Sequence, residues 1–141
     1  MPNWCENELV IRGPEASVEA LIRSFRSSDS PIDFDKVVPQ PTDVTWAAWR
    51  ERHWGTHRPA RAPFGLRKLL SPDGRLRVRI SFSSAWGPPV GILLALSESA
   101  PELSFCLFYF EGARCFRGYY KCEGGAVVNC DETGYWGPRG W

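Results

Sequence analysis

Two histidines, five cysteines and sixteen carboxylates are the groups in this chain that could hold a metal or attack a substrate. His53 and His57 are four residues apart, a spacing that sets two imidazoles on one helical face, but Gly55 is expected to end a helix between them. Cys115, Cys122 and Cys130 lack the short knuckle spacing of a structural zinc site. On a strand, Cys115 and Cys122 are an odd number apart and point to opposite faces. A thiol nucleophile needs a base beside it to form thiolate near neutral pH, and both histidines belong to one short segment. Cys5 beside Trp4 reads as a packed residue of a first strand. Asp33 with Asp35, and Asp131 with Glu132, are carboxylate pairs expected in solvated loops. No phosphate-cradling loop or dinucleotide fingerprint occurs, and Gly124-Gly125 reads as a turn. The expectation is no catalytic residues, no metal and no cofactor, and so a protein that is not an enzyme.

Binding chemistry is better represented. Of 17 Lys/Arg and 16 Asp/Glu, nine cations and two acids (Glu51, Asp73) fall between Arg50 and Arg79, so the middle is basic and the flanks acidic. Such asymmetry attracts nucleic acid or an acidic protein surface, although the acidic flanks can also neutralise it within the fold. Seven Trp, eight Phe and four Tyr are a high aromatic load, and Trp and Arg are the types enriched at binding hot spots. The segment from Trp46 to Arg61 concentrates them. Core packing accounts for Trp46 and Trp49, leaving Trp54, Arg58 and Arg61 as candidate partner-binding residues. Arg75, Arg77 and Arg79 are a second set, spaced by two and therefore on one face of a strand. If that face also carries Phe108 and Phe110, or Tyr119, cations and a stacking platform for single-stranded nucleic acid come together. The competing expectation is that these arginines are solvated or pair across strands with Glu111 and Glu123. Arg117-Gly118-Tyr119 begins like the signature of an RNA-recognition motif, but Tyr120 and Lys121 break it.

These residues need a scaffold, and its periodicities are readable. From Arg75 to Ser83, Leu76, Val78, Ile80 and Phe82 alternate with polar residues, the mark of a strand with one buried face. Trp86 to Pro89 is a junction whose prolines suit a helix start, the helix runs from Val90 to Ala100, and a second strand covers Leu103 to Phe110. Upstream, Glu8 to Arg12 is a strand and Glu15 to Arg26 a helix with Val18, Leu21, Ile22 and Phe25 on one stripe. Pro31 to Pro63 is an insertion: extended to Pro41, then a helix from Val44 to Trp54 capped by Thr42 or Asp43, then two Pro-limited basic turns. Phe64 to Leu70 joins the Arg75 strand through Ser71-Pro72-Asp73-Gly74, a hairpin turn. Arg114 to Cys122 and Ala126 to Cys130 are further strands, and a Gly/Trp-rich tail runs from Gly134 to Trp141. At 141 residues this predicts one domain, an α+β ferredoxin-like sandwich: β-α-β-β-α-β with a helical insertion, two extra C-terminal strands and a mainly antiparallel sheet. One sheet face is covered and the other open. No basic start precedes an apolar run, so no secretory leader is expected, and the odd cysteine count fits reduced thiols in the cytoplasm.

Several blocks resemble the YubB/Api92-like ferredoxin-like proteins: the opening Met-Pro-Asn-Trp-Cys-Glu-Asn-Glu-Leu-Val-Ile-Arg-Gly, Phe34-Asp-Lys-Val-Val-Pro-Gln-Pro, His53-Trp-Gly-Thr, Ser84-Ala-Trp-Gly-Pro-Pro and Phe116-Arg-Gly-Tyr-Tyr. The resemblance spans most of the chain. It implies a ferredoxin-like fold and a phage, plasmid or other mobile-element setting, with no established activity. One departure is His57-Arg58-Pro59, where the family pattern continues with Lys and an aromatic residue. The combined expectation is a non-catalytic binding protein that engages a host or defence-system protein through an aromatic and basic surface. The alternative is a single-stranded nucleic-acid-binding protein using the open sheet face.

Overall fold

The computed structural model of the chain describes residues 2–113 and 115–134. In chain order the elements are β1 (Trp4–Pro14), α1 (Glu15–Phe25), α2 (Phe34–Val37), α3 (Trp46–Trp54), β2 (Arg61–Leu70), β3 (Arg75–Ala85), α4 (Val90–Ser99), β4 (Ser104–Glu111), β5 (Phe116–Glu123) and β6 (Ala126–Gly134). The strands form one sheet in the order β2-β3-β1-β4-β5-β6, and every neighbouring pair is antiparallel. The fold is thus α+β with an open six-stranded antiparallel sheet.

The alternation in β3 becomes a division of faces. Leu76, Val78, Ile80 and Phe82 are buried, and across the ladder Val78 and Ile80 meet Ile11 and Leu9 of β1, which in turn meet Phe105 and Leu107 of β4. Against this face α1 presents Val18, Ile22 and Phe25, and α4 presents Ile92, Leu93 and Leu96. Helices α2 and α3 pack on those two and add Phe34 and Trp54. The opposite face carries no helix among the described residues.

The α3/α4 contact depends on the absence of a side chain. A Cβ on Gly91 would lie 2.2 Å from the His53 carbonyl oxygen, so only glycine lets the end of α3 approach α4 this closely. Gly55 ends α3 at φ +84°, as its position predicts. Gly74, at φ +83°, turns the β2/β3 hairpin as expected.

Several boundaries differ from the sequence reading. Helix α3 starts at Trp46, with Thr45 at its N-cap and no side-chain capping bond, instead of at Val44 behind Thr42 or Asp43. The stretch expected to be extended contains the single turn α2, whose cap Asp33 accepts the Asp35 N–H. Strand β2 begins at Arg61 because the chain passes Pro63 with a break in register between Arg61 and Gly65. Strand β6 continues to Gly134, so Asp131 and Glu132 lie on an edge strand and not in a loop. The expected tail beyond Gly134, with Trp136 and Trp141, lies outside the described residues, as does Arg114.

Candidate functional site

The strand registers fix what the uncovered face displays. One row across the sheet reads Gly65, Ser81, Glu8, Phe108, Tyr119, Asp131, and the next reads Arg67, Arg79, Val10, Cys106, Lys121, Asn129. A third row reads Leu69, Arg77, Arg12, Ser104, with Arg75 beyond it. Cations from four strands therefore gather at one end of the face, beside a pair of aromatic rings.

Two of these cations stand directly opposite two others: Arg67 faces Arg79, and Arg12 faces Arg77. Like charges in such positions destabilise a sheet. Relief is partial. Glu8 Oε2 accepts from Arg79 Nη1 at 3.2 Å, whereas Arg12, Arg67, Arg75 and Arg77 form no ion pair among the described residues. The expected pairing of these arginines with Glu111 does not occur, since Glu111 is fully buried on the helix side, where its carboxylate accepts the Ala113 N–H. Glu123 does reach the face and lines a groove of about 350 Å³ with Arg12, Arg79, Cys106, Phe108 and Lys121. A second hollow of about 260 Å³ lies between Arg12, Arg75, Arg77 and Ser71. Arg12 belongs to both. The Phe108 and Tyr119 rings are 6.2 Å apart, tilted by 48°, and both are half-buried, so their surfaces remain partly available.

The sequence-derived candidates divide accordingly. Arg75, Arg77 and Arg79 sit together on this face, as their spacing predicts. Trp54 does not belong to any contact surface: it is 1% exposed, its Nε1–H donates to the Val38 carbonyl, and Phe34 and Trp49 pack edge-on against its ring. Trp46, expected in the core, is instead 48% exposed. The reversal follows from Gly91, which draws the C-terminal end of α3 inward. Arg50 lies between the two tryptophans, 5.1 Å from the Trp46 ring and 4.8 Å from the Trp54 ring. Arg58 is exposed in the loop after α3, and Arg61 covers the Trp4 ring at 4.4 Å. Neither joins the cation cluster. Arg12, Arg67 and Lys121 were missed, and the signal for them was the period-two pattern of their own strands.

Three of the five thiols are held toward their protonated form. Cys5 is fully buried and its thiol is pushed up to about 12, by burial first and then by the Glu111 charge. Burial raises Cys122 to about 11, and it raises Cys106 even though Lys121 and Arg12 pull the other way. The His53 ring stacks on Trp49 at 4.5 Å with Nδ1 against the Trp49 carbonyl, and His57 Nδ1 is 3.9 Å from Glu51. Among the described residues no group of three or more His, Cys, Asp or Glu could hold a metal ion, and no helix is long and apolar enough to cross a membrane.

No protein-family model matches the sequence, and no curated protein matches it significantly. Among solved structures the chain is similar to the crystal structure of protein Api92 from Yersinia pseudotuberculosis, with a TM-score of 0.68 and 12% identity over 99% of this chain and 100% of that one. At this identity the likeness is one of fold.

Proposed function

We propose that this chain is a non-catalytic binding protein whose uncovered sheet face takes single-stranded nucleic acid. The observation that carries the reading is the direct cross-strand opposition of Arg12 with Arg77 and of Arg67 with Arg79, an arrangement that works against the sheet and is relieved by an anion laid across it. Phosphates over these cations leave bases free to stack on Phe108 and Tyr119, a contact available to any base and to unpaired strands only. The strand order supports assigning the ferredoxin-like topology, since β2-β3-β1-β4 is the four-strand core of that fold with β5 and β6 added at one edge. A cytoplasmic location and a mobile-element origin complete the proposal, the first on reduced thiols and the second on the resemblance of the sequence blocks.

A host or defence-system protein as partner is a second reading. It rests on the exposed Trp46 and Trp86, and on Arg58, whose loop is tied to the residue before Trp86 by the bond from Thr56 Oγ1 to the Ala85 carbonyl. One comparison separates the two readings: retention of a mixed-sequence single strand and of a matched duplex at low salt, for wild type and for Phe108→Ala with Tyr119→Ala. Wild type is expected to prefer the single strand, and the double variant to bind it more weakly by roughly 1–3 kcal/mol for each base that no longer stacks. No retention at low salt, or equal retention by the double variant, overturns the nucleic-acid reading. The protein reading then requires a nuclease-resistant complex that Arg58→Glu dissociates.

A further inference from the structure

The two ends of the sheet are unlike each other, and we propose that they are made for one another in separate molecules: the β2 edge of one copy receives the β6 edge of the next, extending the sheet head to tail. Among the described residues β2 pairs only with β3, and β6 only with β5. Exposed edges of this length are ordinarily blunted by charge, proline or bulges. On β2 the proline and the register break lie before Gly65, and the rest of the strand exposes Leu66 (40%), Leu69 (56%) and Leu70 (52%) beside the charges of Arg67 and Lys68, while β6 exposes Val127 (40%) and Val128 (53%). Beside β2, a hollow of about 420 Å³ between Ile22, Arg26, Pro31, Phe64 and Leu66 leaves apolar wall uncovered.

Charge selects which edges meet. Strand β2 carries Arg61, Arg67 and Lys68 and no acid, while β6 carries Asp131 and Glu132 and no cation. Two β2 edges would repel, as would two β6 edges, so a symmetric pairing is disfavoured and a heterologous one favoured. The faces agree as well. Arg67 and Asp131 both belong to the uncovered face, whereas Lys68, bonded to Glu19 of α1, and Glu132, bonded to the Tyr109 hydroxyl, belong to the helix side. An antiparallel register with Arg67 opposite Asp131 puts Lys68 diagonal to Glu132 and Leu70 opposite Val128, and keeps the helices of both copies on one side. The uncovered faces of successive copies then form one continuous surface. The inference stands on the edges alone and needs no ligand.

Sedimentation velocity on nucleic-acid-free protein tests it, with circular dichroism to verify that variants fold. Wild type should associate with rising concentration and dissociate with salt. Arg67→Asp and Asp131→Arg, each alone, should associate about tenfold more weakly, because each sets like charges opposite. Mixed in equal amounts they should recover association, since each variant supplies the sign the other lacks. A wild type that stays monomeric at every concentration, a single variant that associates as wild type does, or a mixture that recovers nothing overturns the proposal.

Discussion

Replacing Arg12 and Arg77 together by glutamine should weaken binding to a single strand and make the protein more stable, and the opposite signs are what make the test discriminating. Glutamine keeps part of the aliphatic stem that covers the sheet, so the change is mainly one of charge. Four arginines of the cluster lack an ion-pair partner among the described residues: Arg12, Arg67, Arg75 and Arg77. If each meets a phosphate, the slope of log K against log salt is about −2.8, and affinity falls roughly fifty-fold between about 50 and about 200 mM salt. Removing two reduces the slope to about −1.4 and the loss to roughly sevenfold. Meanwhile the direct Arg12–Arg77 opposition disappears, which should add about 0.2–1 kcal/mol and raise Tm by about 2 °C. Anisotropy of a labelled oligonucleotide across the salt range gives the slope, and thermal unfolding gives the stability. An unchanged slope refutes the assignment of phosphates to this face. A fall in Tm refutes the claim that the arginines oppose the fold.

The remaining predictions concern the scaffold. Gly91→Ala should cost more than about 2 kcal/mol in urea unfolding, because its Cβ would lie 2.2 Å from the His53 oxygen and 2.8 Å from the Trp54 carbonyl carbon. Gly87→Ala, with nothing within 4 Å, should stay within about 0.5 kcal/mol of wild type. Trp54→Ala should cost about 3–5 kcal/mol, and Trp46→Ala less than about 1 kcal/mol, when measured in the same way. Cys5 and Cys122 have thiols raised from 9.0 to about 12 and about 11, so their stabilisation is complete below pH 9 and lost as pH climbs through those values. Cys5→Ala should flatten that alkaline decline in the urea midpoint, and in native protein at pH 8 a thiol reagent should modify exposed Cys130 and spare Cys5.

What the sequence disclosed, it disclosed through period. The alternation of β3 placed Arg75, Arg77 and Arg79 on one side, the spacing of Val18, Ile22 and Phe25 placed α1 on the sheet, and Ser71 to Gly74 announced the hairpin. Where period is weak the reading failed. Helix α3 has aromatic residues on more than one side, so nothing local decides which tryptophan is buried. The decision belongs to Gly91, 37 positions after Trp54, whose missing side chain admits the far end of the helix. Arg61 fell outside the expected strand because Pro63 reads as a break, and a shift in register carries the strand past it. The cluster as a whole was hidden for a different reason. Arg12, Arg67 and Lys121 come from three strands, and only the pairing order brings them to Arg77 and Arg79.

The distinctive sequence blocks reach the uncovered face at Glu8, Arg12 and Tyr119, whereas the bonds that tie the blocks to one another lie elsewhere, and this bears on what resemblance can transfer. Asn7 Nδ2 donates to Ser84 Oγ at 2.8 Å, the Trp86 N–H to the Asn3 carbonyl at 2.7 Å, and Thr56 Oγ1 to the Ala85 carbonyl at 2.8 Å. Those bonds join the opening block, the His-Trp-Gly-Thr block and the Ala-Trp-Gly-Pro-Pro block to one another. Phe34 and the Val38 carbonyl hold Trp54, and at Gly118 a Cβ would come within 2.5 Å of the Tyr109 hydroxyl. Each block is thus occupied in closing the core, where a substitution leaves a buried donor, a cavity or a backbone clash. A chain that keeps them keeps the architecture. The arginines of the uncovered face take no part in those bonds, and Arg12 with Arg77 and Arg67 with Arg79 oppose one another across the sheet, so a substitution among them tests the proposed anion site without opening the core.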